Sequence, residues 1–286
     1  MRYVAPETIE SAVGILAGET GTAHVLAGGT DLLVRLRSGA TEPDLMLDIK
    51  RIAGMRTIAE EDGGFRIGAG VCAAEMGEHA GLKASWPGVV EAAELIGSTQ
   101  VQGRATVAGN LCNASPAADS VPALVAAGAI ARIAGPDGTR ELPVEAVPQG
   151  PGKTALQRGE FIASIFLPKP APQSGDAYLR FIPRTEMDIA VVGCGIAVTL
   201  DESGVCTAAR VSLGAVAPTV LLVDDAAKTL IGTDIGDAAL DRLAEAASAA
   251  CRPIDDKRGT VAFRTQVAGV LARRVAVVAR DRARSK

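Results

Sequence analysis

The chain has 286 residues, 48% of them hydrophobic and 22% charged, with a formal net charge of −4. That length suits two or three modest domains, and a chain of this size can bury a core without disulfide or metal staples. Both signs of charge are spread along the sequence, which argues against a nucleic-acid surface; the Arg-rich stretch from Arg273 to Lys286 reads as one face of a solvated helix and its frayed end.

The first ~50 residues alternate helix and strand. Thr8 can cap a short amphipathic helix from Ile9 to Leu16 that stops at Gly18. His24-Val25-Leu26-Ala27 reads as a short apolar strand. After Gly28-Gly29, the run Leu32 to Arg37 has a helical pattern and ends at Gly39, and Asp44 to Ile49 alternates like a strand. Strand, glycine turn, helix and strand make a small βαβ-type unit.

The second region opens with predicted strands at Met55 to Ala59 and Gly64 to Gly68, followed by helices at Ala73 to His79 and Pro87 to Leu95. Gly97 to Asp119 is rich in small residues and has little periodicity. A helix at Val121 to Ala127 and strands at Ala129 to Ala134 and Phe161 to Leu167 complete it. Pro168 to Gly175, with three prolines, has the composition of a linker. Beyond it, strands at Tyr178 to Ile182, Ala190 to Leu200 and Ala208 to Leu213 precede helices at Asp237 to Cys251 and Thr260 to Arg280. Strands followed by helices predict an α+β layer. The resulting division is 1–52, 53–172 and 177–286.

Two segments carry ligand-binding character. In Leu26-Ala27-Gly28-Gly29-Thr30-Asp31-Leu32 a strand ends, two glycines turn the chain and a helix begins. First-turn amides have no partner inside their helix, and glycine lacks the Cβ that would hold an anion away from them. A phosphate or diphosphate cradle is one reading; a plain strand–helix turn with Asp31 as N-cap is the other. The second segment, Thr106 to Asp119, combines small side chains with Thr, Asn, Ser and Asp. It suits backbone wrapped around a ligand, or an exposed polar loop.

Other chemistries lack their signatures. No G-x-G-x-x-G, G-x-x-x-x-G-K-[ST] or G-x-S-x-G motif is present. Cys72, Cys112, Cys194, Cys206 and Cys251 form no C-x-x-C pair, so a structural zinc or a cysteine-held iron–sulfur cluster within this chain is not expected. They read as small buried residues. His24 and His79 read as structural, and Glu60-Glu61-Asp62 and Asp255-Asp256 as solvated loops. The N-terminus lacks the apolar core of a signal peptide, and no run reaches about 18 apolar residues, so a cytoplasmic protein without a membrane span is expected. A chain this poor in acid, base and nucleophile suits chemistry owned by a cofactor.

Ala27-Gly28-Gly29-Thr30-Asp31-Leu32, Thr106-Val107-Ala108-Gly109-Asn110 and Asn113-Ala114-Ser115-Pro116-Ala117-Ala118-Asp119 together resemble the FAD-binding medium subunit of the molybdenum hydroxylases. This is the family of xanthine dehydrogenase and aerobic carbon monoxide dehydrogenase. Arg180 to Val192 resembles the start of that family's C-terminal domain, so the likeness covers nearly the whole chain. The resemblance implies an α+β protein: a vanillyl-alcohol-oxidase-type FAD-binding fold of two α/β subdomains, plus a C-terminal α+β domain with a three-stranded antiparallel sheet and helices. It implies an oxidoreductase component that passes electrons from a partner's iron–sulfur clusters, through FAD, to NAD+, oxygen, a quinone or a cytochrome. A large molybdenum-cofactor subunit and a small iron–sulfur subunit are the implied partners, arranged as a dimer of heterotrimers. A stand-alone flavin reductase or oxidase of the same fold is the alternative.

Carried over by position, Val25, Leu26, Ala27, Gly28, Gly29, Thr30, Asp31 and Leu32, with Thr106, Ala108, Gly109 and Asn110, would hold the diphosphate. Asp119 would accept hydrogen bonds from ribityl or nearby hydroxyls. Ile96 and Ile162 match apolar contacts, and Cys112 falls where a small or apolar residue approaches the isoalloxazine. Val101, Ala105, Asn113 and Ala118 complete the expected set; no catalytic or metal-binding residue is assigned. The family's second loop usually reads Thr-Ile-Gly-Gly-Asn, and here Ala108 stands in place of its first glycine. Alanine does not easily take φ > 0, so an ordinary φ is expected there.

Overall fold

In a computed structural model covering residues 1–286, the N-terminal segment forms β1 (Arg2–Val4), α1 (Ile9–Gly18), β2 (Ala23–Leu26), α2 (Leu32–Arg37) and β3 (Leu45–Asp48). All pairing in this sheet is parallel, in the order β1-β3-β2. The Thr8 hydroxyl accepts the Ser11 amide at 3.1 Å and caps α1. Every residue of the central strand β3 is buried. The predicted βαβ unit is therefore present. The three-residue β1 was not predicted, being too short to show a period.

The second region contains β4 (Ile58–Glu61), β5 (Gly64–Gly68), α3 (Ala73–Glu78), α4 (Ala80–Ser85), α5 (Pro87–Glu94), α6 (Thr99–Gln102), α7 (Val107–Cys112), α8 (Ser120–Ala126), β6 (Ile130–Gly135), β7 (Gly138–Pro143), β8 (Pro148–Gly150), β9 (Lys153–Thr154) and β10 (Phe161–Leu167). Five of these strands make an antiparallel sheet, β4-β5-β10-β6-β7, and β8 pairs only with β9. The first strand lies later than expected. Met55 is buried before it, and Asp62 and Gly63 both take positive φ, closing a two-residue hairpin of the kind that favours Asp-Gly. Glu60 and Glu61 thus belong to β4 instead of a solvated loop, and Glu61 pairs with Arg66 at 2.6 Å across the hairpin.

The C-terminal region is β11 (Ser174–Phe181), β12 (Val192–Leu200), β13 (Cys206–Gly214), β14 (Leu221–Leu222), α9 (Asp224–Lys228), α10 (Asp237–Ala250) and α11 (Val261–Arg284). Its antiparallel sheet has four strands, β11-β12-β13-β14, where three were expected. The extra strand is two residues long and pairs Leu221 with Leu213 and Leu222 with Ser212. The start of β11 also claims Ser174 and Gly175 from the expected linker. Asp256 is not simply solvated; it pairs with Arg264 at 2.7 Å.

Two hydrophobic cores result. One joins both N-terminal sheets, drawing on Ala12 to Tyr178 and on Val220; the other runs from Ala177 to Ala283. The fully buried helix α8 sits where they meet. A Cβ on Gly195 in β12 would lie 2.6 Å from the Pro122 carbonyl oxygen, so glycine is what lets α8 press onto the C-terminal sheet.

Candidate functional site

The loop after β2 is shaped by two glycines. Gly29 takes φ +83°, and a Cβ on Gly28 would lie 2.1 Å from the Arg104 carbonyl oxygen. Gly28 is thus the point where the first loop meets the backbone just before the second. Lys50 anchors this loop, donating to the Ala27 carbonyl at 3.0 Å while paired with Asp48 at 2.7 Å. The amides of Gly29, Thr30, Asp31 and Leu32 find no acceptor in the chain. Asp31 occupies the N-cap position of α2 with a helical backbone and makes no capping bond, so its carboxylate does not satisfy them. Unpartnered amides in a row need water or an anion.

The second loop is less irregular than its composition suggests. Thr106 caps α7, its hydroxyl accepting the Gly109 amide at 3.0 Å. Asn110 Oδ1 accepts both the amide (3.1 Å) and the hydroxyl (2.7 Å) of Ser120, tying α7 to α8. An isolated bridge from Cys72 to Thr106 and a 2.9 Å bond from the Ala73 amide to the Ala105 carbonyl seat this segment against the end of the five-stranded sheet. Ala108 is a buried helical residue and does not take positive φ, as expected for it.

The two loops face one cleft of about 440 Å³. All the sequence-derived candidates line it except Val101, Ala118 and Asp119. Val101 lies one turn before the second loop, its carbonyl accepting the Ala105 amide at 2.8 Å. Ala118 is buried in the larger core. Asp119 sits behind the cleft, where Arg180 Nη1 approaches its Oδ1 at 2.8 Å. That approach lies off the hydrogen-bonding direction, and Asp119 Oδ1 and Arg180 Nε and Nη1 are left without a hydrogen bond. Burial pushes the Asp119 carboxyl up, with Arg180 opposing.

Sequence reasoning missed Thr154 and Leu156, which approach the cleft from the segment around β9, and Phe161, the neighbour of Ile162 in β10. It also missed His24 and Arg35 as cleft residues. Period-two alternation along the β2 strand and the i, i+4 relation of Arg35 to Asp31 on α2 were the available signals. His24 Nε2 lies 2.8 Å from the Thr41 hydroxyl, and burial, then Arg35, holds its pKa below the usual histidine value. His79 is structural, its Nδ1 accepting the Leu82 amide at 3.1 Å. Burial pushes the Cys112 thiol up to about 12, so it stands in the cleft as a protonated, weakly polar side chain. Glu160 is tied to Arg140 at 2.7 Å. Nowhere do three His, Cys, Asp or Glu side chains converge as metal ligands, and no helix is long and apolar enough to cross a membrane.

Residues 1–170 match the family model of the FAD binding domain in molybdopterin dehydrogenase, and residues 177–278 match that of the CO dehydrogenase flavoprotein C-terminal domain. The chain is 32% identical to the carbon monoxide dehydrogenase medium chain of Afipia carboxidovorans, over 99% of this chain and 97% of that one. It is 29% identical to the putative xanthine dehydrogenase FAD-binding subunit of Escherichia coli strain K12, over 96% and 94%. Among solved structures, a chain of carbon monoxide dehydrogenase from Hydrogenophaga pseudoflava superposes with a TM-score of 0.94 at 31% identity, covering 99% of this chain and 98% of that one.

Proposed function

The chain belongs to the family of FAD-binding subunits of the molybdopterin dehydrogenases, and from that premise we propose that it is the FAD-holding electron-transfer subunit of a molybdenum-containing dehydrogenase or hydroxylase. The observation that carries this is the cleft itself, where the unpartnered amides from Gly29 to Leu32 face the capped turn of Thr106 to Asn110.

The residues present fit FAD. Gly28 packs so closely on the Arg104 carbonyl that any side chain would drive the loops apart. The volume lies within the range of roughly 300–1,000 Å³ typical of small-molecule and cofactor sites. Asp119 and Arg180, outside the cleft lining, leave buried polar atoms without a hydrogen-bond partner. In this reading Val25 to Leu32 and Thr106 to Asn110, with Ala105, hold the diphosphate. Ile96, Ile162 and Cys112 give apolar contact. Asn113 and Asp119 meet hydroxyls, while Val101 and Ala118 back the second loop.

Bound FAD supplies the redox chemistry, receiving electrons from a partner and yielding them to an external acceptor. The chain's own residues bind, orient and shield. With the Cys112 thiol held protonated and Glu160 engaged by Arg140, neither is poised as a proton donor or base, which counts against a stand-alone flavoenzyme. The molybdenum cofactor and iron–sulfur clusters belong in this reading to large and small partner subunits, in a cytoplasmic dimer of heterotrimers. The units 1–52, 53–172 and 177–286 serve as two FAD-binding subdomains and a C-terminal domain. Flavin released on denaturing the purified chain, and molybdenum and iron in the complex that copurifies with it, are the expected results. A colourless chain whose melting temperature does not rise on adding FAD would overturn the reading.

A further inference from the structure

Charge in the cleft is unevenly placed. Beside the protonated Cys112 thiol, four of its lining side chains can carry charge: Asp31, Glu160, His24 and Arg35. Arg140 neutralises Glu160. His24 is held toward its neutral form by burial. Asp31 makes neither a cap nor an ion pair, and its carboxylate stands beside the free amides of the first loop. A diphosphate brought to those amides would meet an uncompensated negative charge unless a cation stood nearby.

Arg35 is that cation. It is the one lysine or arginine lining the cleft, and it lies one turn beyond Asp31 on the same face of α2. Its guanidinium forms no ion pair, whereas Arg66, Arg132, Arg140, Arg210, Arg264 and Arg282 are all paired. Its charge is felt in the cleft wall, adding to the depression of the His24 pKa. A planar, always-charged donor of this kind suits phosphate oxygens better than any other side chain in the cleft.

We propose that Arg35 is a binding residue for the phosphate-bearing part of the cofactor, offsetting Asp31 and supplying the positive side-chain charge that the glycine loops lack. This rests on the FAD reading above and extends it to a residue outside the glycine loops. Arg35 is exposed and packs against no core, so substitution leaves the fold intact. The test is titration of flavin-free full-length chain with FAD, by fluorescence quenching, at low and high salt. Arg35→Gln is expected to raise the Kd roughly fivefold, with Arg35→Glu worse and Arg35→Lys close to the parent, as for one exposed ion pair. The parent's affinity should also fall more steeply with salt than that of Arg35→Gln. A parent chain that binds no FAD would sink the FAD reading itself. A parent that binds FAD, with Arg35→Gln and Arg35→Glu matching it in affinity and salt dependence, would sink the Arg35 proposal alone.

Discussion

Arg180 Nη1 stands 2.8 Å from Asp119 Oδ1, joining the N-terminus of α8 to the first strand of the C-terminal sheet. Both side chains are almost wholly buried, and several of their polar atoms make no hydrogen bond. Such a pair gives little net stability, but removing one member strands the other charge in a medium that solvates it poorly. Arg180→Met should therefore destabilise the flavin-free chain by roughly 3 kcal/mol in urea unfolding, and Asp119→Asn added to it should restore part of the loss. An Arg180→Met variant as stable as the parent would mean that the two charges are better solvated than their burial implies.

Gly28 offers a sharper steric test. Its missing Cβ would lie 2.1 Å from the Arg104 carbonyl oxygen, and backbone cannot swing aside as a side chain can. Gly28→Ala should cost roughly 1–3 kcal/mol through overpacking and abolish the rise in melting temperature on adding FAD. Gly103→Ala is the matched control: it is near the same junction, at φ −65°, with nothing within 4 Å of the added methyl. Equal effects from the two substitutions would refute the close approach.

Ala108 stands where the resemblance places a family glycine, and its helical backbone makes no use of glycine's access to positive φ. Reverting it, Ala108→Gly, should lower stability by roughly 0.5–1 kcal/mol, the usual cost of glycine inside a helix. FAD affinity should be retained, because no positive φ is being relieved. A tenfold gain in affinity would instead show that the alanine methyl crowds the ligand.

These positions also mark where the sequence is legible. The Gly28-Gly29 turn could be read because strand, glycines and helix follow one another within a few residues, and β10 because Phe161 to Leu167 is a single apolar run. Helix α7 could not, since Val107-Ala108-Gly109-Asn110-Leu111-Cys112 is too short and too mixed for a 3.6-residue period to emerge; its stability comes from the Thr106 cap and from Asn110 gripping Ser120. Likewise β14 exists only because Leu221 and Leu222 find Leu213 and Ser212 across the sheet. The Asp119–Arg180 pair was out of reach for a similar reason. Nothing local links residues 61 positions apart, and only the packing of α8 on the C-terminal sheet brings them together.

Asp176 carries the clearest pH prediction. It lies buried on β11, where its Oδ2 accepts the Val89 amide at 3.2 Å in the first turn of α5 and its Oδ1 has no partner. Burial pushes its carboxyl up to about 7; Arg282, Lys286 and the Val89 amide pull it down, and Glu91 pushes it up. In the unfolded chain the same group titrates near ~3.9. Between those values the native state holds more proton than the unfolded one, so this group's contribution to stability is fully present below about pH 4 and is lost as pH rises through about 7. Asparagine keeps an acceptor for Val89 and cannot ionise. Asp176→Asn should therefore be close to the parent at pH 4.5 and more stable at pH 8, by roughly 1–3 kcal/mol in urea unfolding. Parallel stability–pH curves for the two proteins would show that Asp176 titrates in the native state as it does in the unfolded chain.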